Sequence, residues 1–275
     1  MAGAHPGPRD VLSWFLGEAY RRDALLTRVA VINLALALVM VLLLPFDPRL
    51  VSGINPWIKP LKFALSIALY ALTVAWYMGE ARKHGALRST VRWGIAVAMM
   101  VEIVCITMQA ARGTTSHFNI ATVFDAAVFQ LMGMMIVLNT LFTVGLLWLL
   151  RGPVAAPRAA YVWGLRLGVV LFVLASLEAY AMIARSAHTV GLTDGGPGLP
   201  FLNWSTRAGD LRVAHFLGLH SLQILPIVGY ALDQLRPRWP AGGRVTMMGA
   251  FAMIWLALMA GLFLQALAGR PFLPL

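Results

Sequence analysis

Cysteine occurs once, at Cys105, so the chain has no disulfide framework and no cysteine-based metal site. Charge is scarce as well: 12% of residues are Asp, Glu, Lys or Arg against 60% hydrophobic, and the mean hydropathy is +0.76. That balance excludes a large soluble core and places the chain in a membrane. Acids are scarcer still, 11 against 22 Lys and Arg, for a net charge of +11. A basic membrane protein needs no nucleic-acid partner, because loop topology and anionic lipid account for its charge. No HExxH pattern, phosphate loop or nucleophile elbow interrupts the apolar runs, and no internal repeat is visible. The first 28 residues contain Asp10, Glu18 and Asp23, and no small-x-small cleavage pattern follows the first apolar run. They do not read as a cleavable signal peptide, and the N-terminus is expected to be retained.

What is present is a series of apolar stretches. A bilayer core about 30 Å thick needs roughly 20 apolar residues at about 1.5 Å each. Seven stretches qualify, at 29–46, 58–78, 93–111, 123–149, 161–183, 211–232 and 245–268. The expected fold is therefore an all-α, polytopic bundle of seven transmembrane helices spanning 29–275, with a long connection at 186–210. With the N-terminus placed inside, 14 of the 22 Lys and Arg fall in inner connections and eight in outer ones, so the N-terminus is expected in the cytoplasm and the C-terminus outside. Residues 1–28 form a cytoplasmic segment, in which Val11, Leu12, Phe15, Tyr20 and Leu25 among Arg and Asp suit an amphipathic helix on the inner surface; plain disorder is the competing reading.

The polar residues inside the spans are costly, about 3 kcal/mol for an ionisable side chain at the bilayer centre even on lenient scales. In the second span Lys59, Lys62, Ser66 and Tyr70 recur at three- and four-residue intervals on one face. Interfacial snorkelling beside Trp57 accounts for Lys59, whereas Lys62 lies a turn deeper. In the third, Glu102, Cys105, Gln109 and Arg112 share a face, with Glu102 near mid-membrane. A lysine or a hydroxyl of a neighbouring helix would pair it structurally; Glu102 is also the strongest functional candidate. The connection Arg112–Asn119 holds capping residues that end and restart helices, and beyond these His117 and Asp125 stand out. Glu178 and Arg185 lie in the outer half of the fifth span, where a partner for Glu178 on another helix is expected. His215 and His220 in the sixth are five residues apart, about 140° around a helix, so a regular helix cannot aim both at one metal; His220 and Gln223 share a face. The inner half of the spans offers little beyond Gln130, Asn139 and Thr140.

Three motifs, IKPLKF at 58–63, RGTTSHFN at 112–119 and the segment 194–223 from DGGPGLP to HFLGLHSLQ, resemble those of a family of bacterial multi-spanning inner-membrane proteins with no established function. The resemblance implies an inner-membrane address and no chemistry. Ser116, Asp125, His117, His215 and His220 also match the residue inventory of the seven-span hydrolases of the ceramidase and progestin-receptor-like group. The order and spacing differ: that group closes with a four-residue histidine interval in its last span, and 245–268 has no histidine. It has no lysine either, which excludes a retinal Schiff base as in rhodopsins.

The polar set supports an outer-facing pocket that binds or transports a small polar or anionic molecule, lined by Lys59, Lys62, Tyr70, Glu102, Gln109, Arg112, His117, Asn119, Asp125, Glu178, Arg185, His215, His220 and Gln223, with Glu102 as a carrier of a coupling proton. An enzyme acting on a lipid-like substrate at the outer leaflet is the alternative. Glu102 or Asp125 would be its base, His117, His215 or His220 its acid or metal ligand, and Lys62 with Arg112 its headgroup clamp. A haem or quinone redox protein is a further alternative, weakened because both span histidines lie on one helix. An ion-pair network that merely holds the helices together is the fourth. No cofactor is specified.

Overall fold

The computed structural model describes residues 8–81, 85–152 and 156–275. Residues 1–7 of the predicted N-terminal segment, and Arg82 and Lys83 of the orientation count, lie outside these ranges. The described chain is helical apart from one two-stranded ribbon. α1 (Pro8–Arg22) runs into α2 (Ala24–Leu43), followed by α3 (Ile58–Glu80), α4 (Ala86–Ala111), α5 (Val123–Leu149), α6 (Ala159–Glu178) and α7 (Tyr180–Arg185). β1 (Thr189–Val190) pairs antiparallel with β2 (Gly209–Asp210), and α8 (Arg212–Leu219), α9 (Ser221–Leu235) and α10 (Ala241–Leu267) complete the chain. Six helical stretches are long and apolar enough to cross a membrane, Ala24–Phe46, Ile58–Glu80, Ala86–Ala111, Val123–Leu149, Ala159–Arg185 and Ala241–Leu267, which makes this an all-α, multi-pass membrane protein. α8 and α9 meet at a bend of 43° and together have the length of one further span.

α2 begins five residues before the expected start because Asp23 caps it: its carboxylate accepts from Leu26 N at 3.1 Å, an anion at the positive end of the helix dipole. The predicted amphipathic helix is α1, and it ends at Arg22. Its Phe15 stacks on Trp76 of α3 at 5.5 Å, and the Arg22 guanidinium lies 4.0 Å over the same ring.

Past the bend between α8 and α9 comes a second irregularity, Pro226 inside α9. Pro226 has no N–H to give to Leu222 O four residues back, and its ring crowds that carbonyl. The Tyr77 hydroxyl of α3 supplies the missing donor at 2.7 Å, Trp255 Nε1 of α10 donates to Leu217 O at 3.2 Å, and Ser221 Oγ donates to Gly168 O at 2.8 Å. Backbone groups released at membrane depth are thus satisfied by neighbouring helices. α6 and α9 form the most extensive helix pair, and they approach closely because Gly164 and Gly229 face the partner backbone: a Cβ on Gly229 would sit 2.4 Å from Ala160 O.

Buried charge is not confined to one end. Glu80 pairs with Arg22 at 3.1 Å and Arg158 at 2.9 Å, Asp23 with Arg92 at 3.2 Å, and Asp233 with Arg244 at 3.2 Å. Asp233 also accepts from the amides of Ala160 and Tyr161 at the start of α6. The expectation of a nearly featureless inner half is corrected accordingly. These acids sit at the helix ends, just beyond the predicted apolar stretches.

Candidate functional site

At the opposite end the 186–210 connection folds over the helix ends. It is not a structureless loop: besides the β1–β2 ribbon, Gly198 bridges Ser205. Gly209 is required where the ribbon crosses α10, since a Cβ there would lie 1.9 Å from Ala266 O. Asp194 ties the start of the connection, accepting from the amides of His188 and Thr189 and meeting His188 Nδ1 at 2.6 Å. Burial opposes ionisation of Asp194, yet these donors hold its carboxyl well below the usual range. Burial pushes His188 below its ordinary value although Asp194 opposes the shift. Asp210 ties the far end by taking a bidentate pair from Arg212 Nε and Nη2, and the same Nη2 also donates to Asn203 O. A recess in this covering is lined by Thr189, Asn203, Ser205, Arg207 and Arg212 among others.

Beneath the connection lies a cluster from α3, α4 and the 112–122 turn. The proline-containing first turn of α3 sets Lys59 and Lys62 on one face, and Lys62 Nζ donates to Leu202 O of the connection at 3.1 Å. Lys59 is partly buried and makes no hydrogen bond or ion pair among the described residues; its charged neighbours are Lys62, Arg212, Glu102 and Asp194. Glu102 of α4 is 1% exposed, and neither carboxylate oxygen has a hydrogen-bond donor. Its nearest ionisable contact is His117 Nε2 at 3.8 Å, too long for a hydrogen bond. His117 binds Ser116 Oγ through Nδ1 at 3.0 Å and lies against Phe63, Phe118 and Phe129. Burial first, and Lys59 second, push its imidazole well below the ordinary value, so it is neutral.

The other predicted residues divide into separate groups. Gln109, Arg112 and Asp125 form a closed network: Asp125 accepts from Gln109 at 2.9 Å, from Arg112, and from Thr122 at 2.7 Å, while Thr122 caps α5 by accepting from Asp125 N. Asp125 is thus the return partner of a helix cap, and both its oxygens are occupied. Asn119 closes a turn through Thr114, Thr115 and Ala121. Tyr70 lies deeper, bonded to Asn139 and Thr143 and stacked on Phe172 at 5.3 Å. His220 and Gln223 make a chain to Thr73 Oγ1 of α3. Arg185 is exposed and reaches only Ala181 O. The Glu178 side chain makes no hydrogen bond among the described residues; the ionisable group closest to it is His215 of α8, with Nδ1 3.5 Å away.

The three histidines considered as metal ligands therefore keep separate company. Among the described residues no three His, Cys, Asp or Glu side chains gather as a metal site. His188 escaped the sequence argument, because a loop has no periodicity to single it out; the available signal was its place in the longest connection. With Arg212 neutralised by Asp210, Lys62 held by a carbonyl and Lys59 unpaired, the cluster carries two lysines against one glutamate. Compared with family models, curated proteins and solved structures, the chain matches none.

Proposed function

We propose that this is a seven-span protein of the bacterial inner membrane, N-terminus cytoplasmic and C-terminus outside, that binds a small polar or anionic molecule beneath the 186–210 connection and carries it together with a proton on Glu102. The seventh span is the bent pair α8 and α9. The inner-membrane address rests on the motif resemblance, the orientation on the distribution of Lys and Arg.

One observation carries the functional reading: Glu102 is buried with both oxygens unbonded beside a lysine that is also unbonded. A carboxylate so placed has no donor of its own, and Lys59 is the cation set to offset its burial. An anion that settles on Lys59 and Lys62 cancels the field of Lys59, and Glu102 then takes up a proton. Anion and proton therefore bind with positive coupling, and each raises the other's affinity by the same factor. The connection, latched by Lys62 to Leu202 O, covers the site and must move for entry.

Native mass spectrometry of the full-length protein in mild detergent tests this reading. The wild type retains a small molecule, Lys59→Gln loses it by at least about tenfold in occupancy, and Glu102→Gln retains it while losing the pH dependence of retention. An empty wild-type protein, or equal retention by Lys59→Gln, would sink the reading in favour of a structural ion-pair cluster.

A further inference from the structure

We propose that Glu178 and His215 form a second proton-holding site, built where α6 breaks against α8 and separate from Glu102. It extends the proton-linked reading above for its purpose, but its existence stands on its own geometry. α6 ends at Glu178 as the chain turns into α7, and the Glu178 side chain is 9% exposed with neither oxygen hydrogen-bonded. His215 crosses from α8 and gives its Nδ1 proton to Ala175 O at 2.9 Å. The same nitrogen stands 3.5 Å from Glu178 Oε2, beyond hydrogen-bond length. In the neutral ring Nε2 is then a bare acceptor. An ionised Glu178 would sit in apolar surroundings at the negative end of the α6 dipole with no donor at all. One proton shared by the pair, on the carboxyl or as imidazolium, removes that conflict.

No other charge settles it. His215 is the one Lys, Arg or His nitrogen within ion-pair distance of Glu178 among the described residues. Arg212, also on α8, is bound to Asp210, and Arg185 of α7 reaches Ala181 O. Asp125 of α5 is closed in its own network, Asp233 of α9 lies at the other end with Arg244, and α10 carries no ionisable residue after Arg244. Glu102 has His117 and Lys59 instead, so the two glutamates share no partner.

Dicyclohexylcarbodiimide, which enters apolar sites and modifies protonated carboxyl groups, tests the proposal on the full-length protein, with peptide mass spectrometry locating the adducts. Glu178 should be modified, by an amount that falls about tenfold per pH unit on the alkaline side and is the same in sodium and choline buffers, while Asp125 and Asp233 stay unmodified. His215→Gln should change the pH dependence at Glu178, because the other member of the pair is gone. Absence of modification at Glu178, protection by sodium, or an unmoved pH dependence in His215→Gln would each overturn the shared-proton site. Modification of Glu178 that persists in Lys59→Gln separates this proposal from the anion site: loss of bound ligand in that variant bears on the latter alone.

Discussion

Asp125, Asp210 and Asp233 each gather donors, whereas Glu102 and Glu178 gather none, and this contrast assigns their roles. A buried carboxylate that gathers several donors is an anchor of the fold, whereas one without donors is left open to another partner. Asp125 is the clearest structural case. Asp125→Ala deletes the acceptor of Gln109, Arg112 and Thr122 together and should cost about 2–3 kcal/mol, read as a fall in the thermal unfolding temperature in detergent, while the retained small molecule stays. Unchanged unfolding would show that the network contributes nothing. Most of the site was legible at this scale: Lys59, Lys62, Glu102 and His117 are polar exceptions in apolar or motif segments, and they meet. What separated Asp125 from Glu102 was also written down, in the Thr122-x-x-Asp125 spacing of a capping box, but a single buried acid invites a catalytic reading before a capping one. Tyr70 shares the lysine face by periodicity, yet a side chain two turns deeper meets a different layer of neighbours, here Asn139 and Thr143.

Among the elements, span existence followed from hydropathy, whereas breaks and true ends did not. α4 begins at Ala86, ahead of the apolar window, because Arg88 donates to Met78 O and Arg22 O and Arg92 pairs with Asp23, so basic residues belong to the helix they precede. The break between α6 and α7 falls at Ala179, beside Glu178, with no Gly or Pro near it to announce a break. The break between α8 and α9 lies six residues before Pro226, a proline inside α9 that the sequence does show. Its energetics can be isolated. Tyr77→Phe strands Leu222 O without a donor and should cost about 1–3 kcal/mol. Pro226→Ala restores the backbone N–H that Leu222 O lacks, so in that background Tyr77→Phe should cost less than half as much. Thermal unfolding of the four proteins of this double-mutant cycle measures the difference. Equal costs in both backgrounds would mean that Tyr77 acts by packing and not by filling the vacated bond.

For the whole molecule, ion pairs brace both ends, and the loosely partnered Lys59–Glu102 cluster lies at the connection end. Glu80 joins α1, α3 and the entry to α6 through Arg22 and Arg158, and Asp233 with Arg244 joins α6, α9 and α10. Pairs of this kind brace helices, whereas the connection is held onto the helix ends by Lys62 on Leu202 O, Arg212 on Asn203 O and the ring contacts of His188 and Trp204. Which end faces the cytoplasm depends on span parity: seven spans put the termini on opposite sides, and six put them together. The bent pair decides the parity, because α8 and α9 reach across only if taken as one helix. In a Cys105→Ser background, a membrane-impermeant maleimide should label Leu275→Cys in intact spheroplasts and Trp14→Cys only after permeabilisation; both positions are well exposed, at 84% and 58%. Labelling of both from the same side would make the α8–α9 pair re-entrant, return the chain to six spans, and place the Lys59–Glu102 cluster by the side on which Leu275→Cys reacts. Labelling from opposite sides, with Leu275→Cys outside, leaves the Glu80 and Asp233 end in the cytoplasm and the anion site open to the exterior, the arrangement in which an external pH gradient loads Glu102 and the anion together.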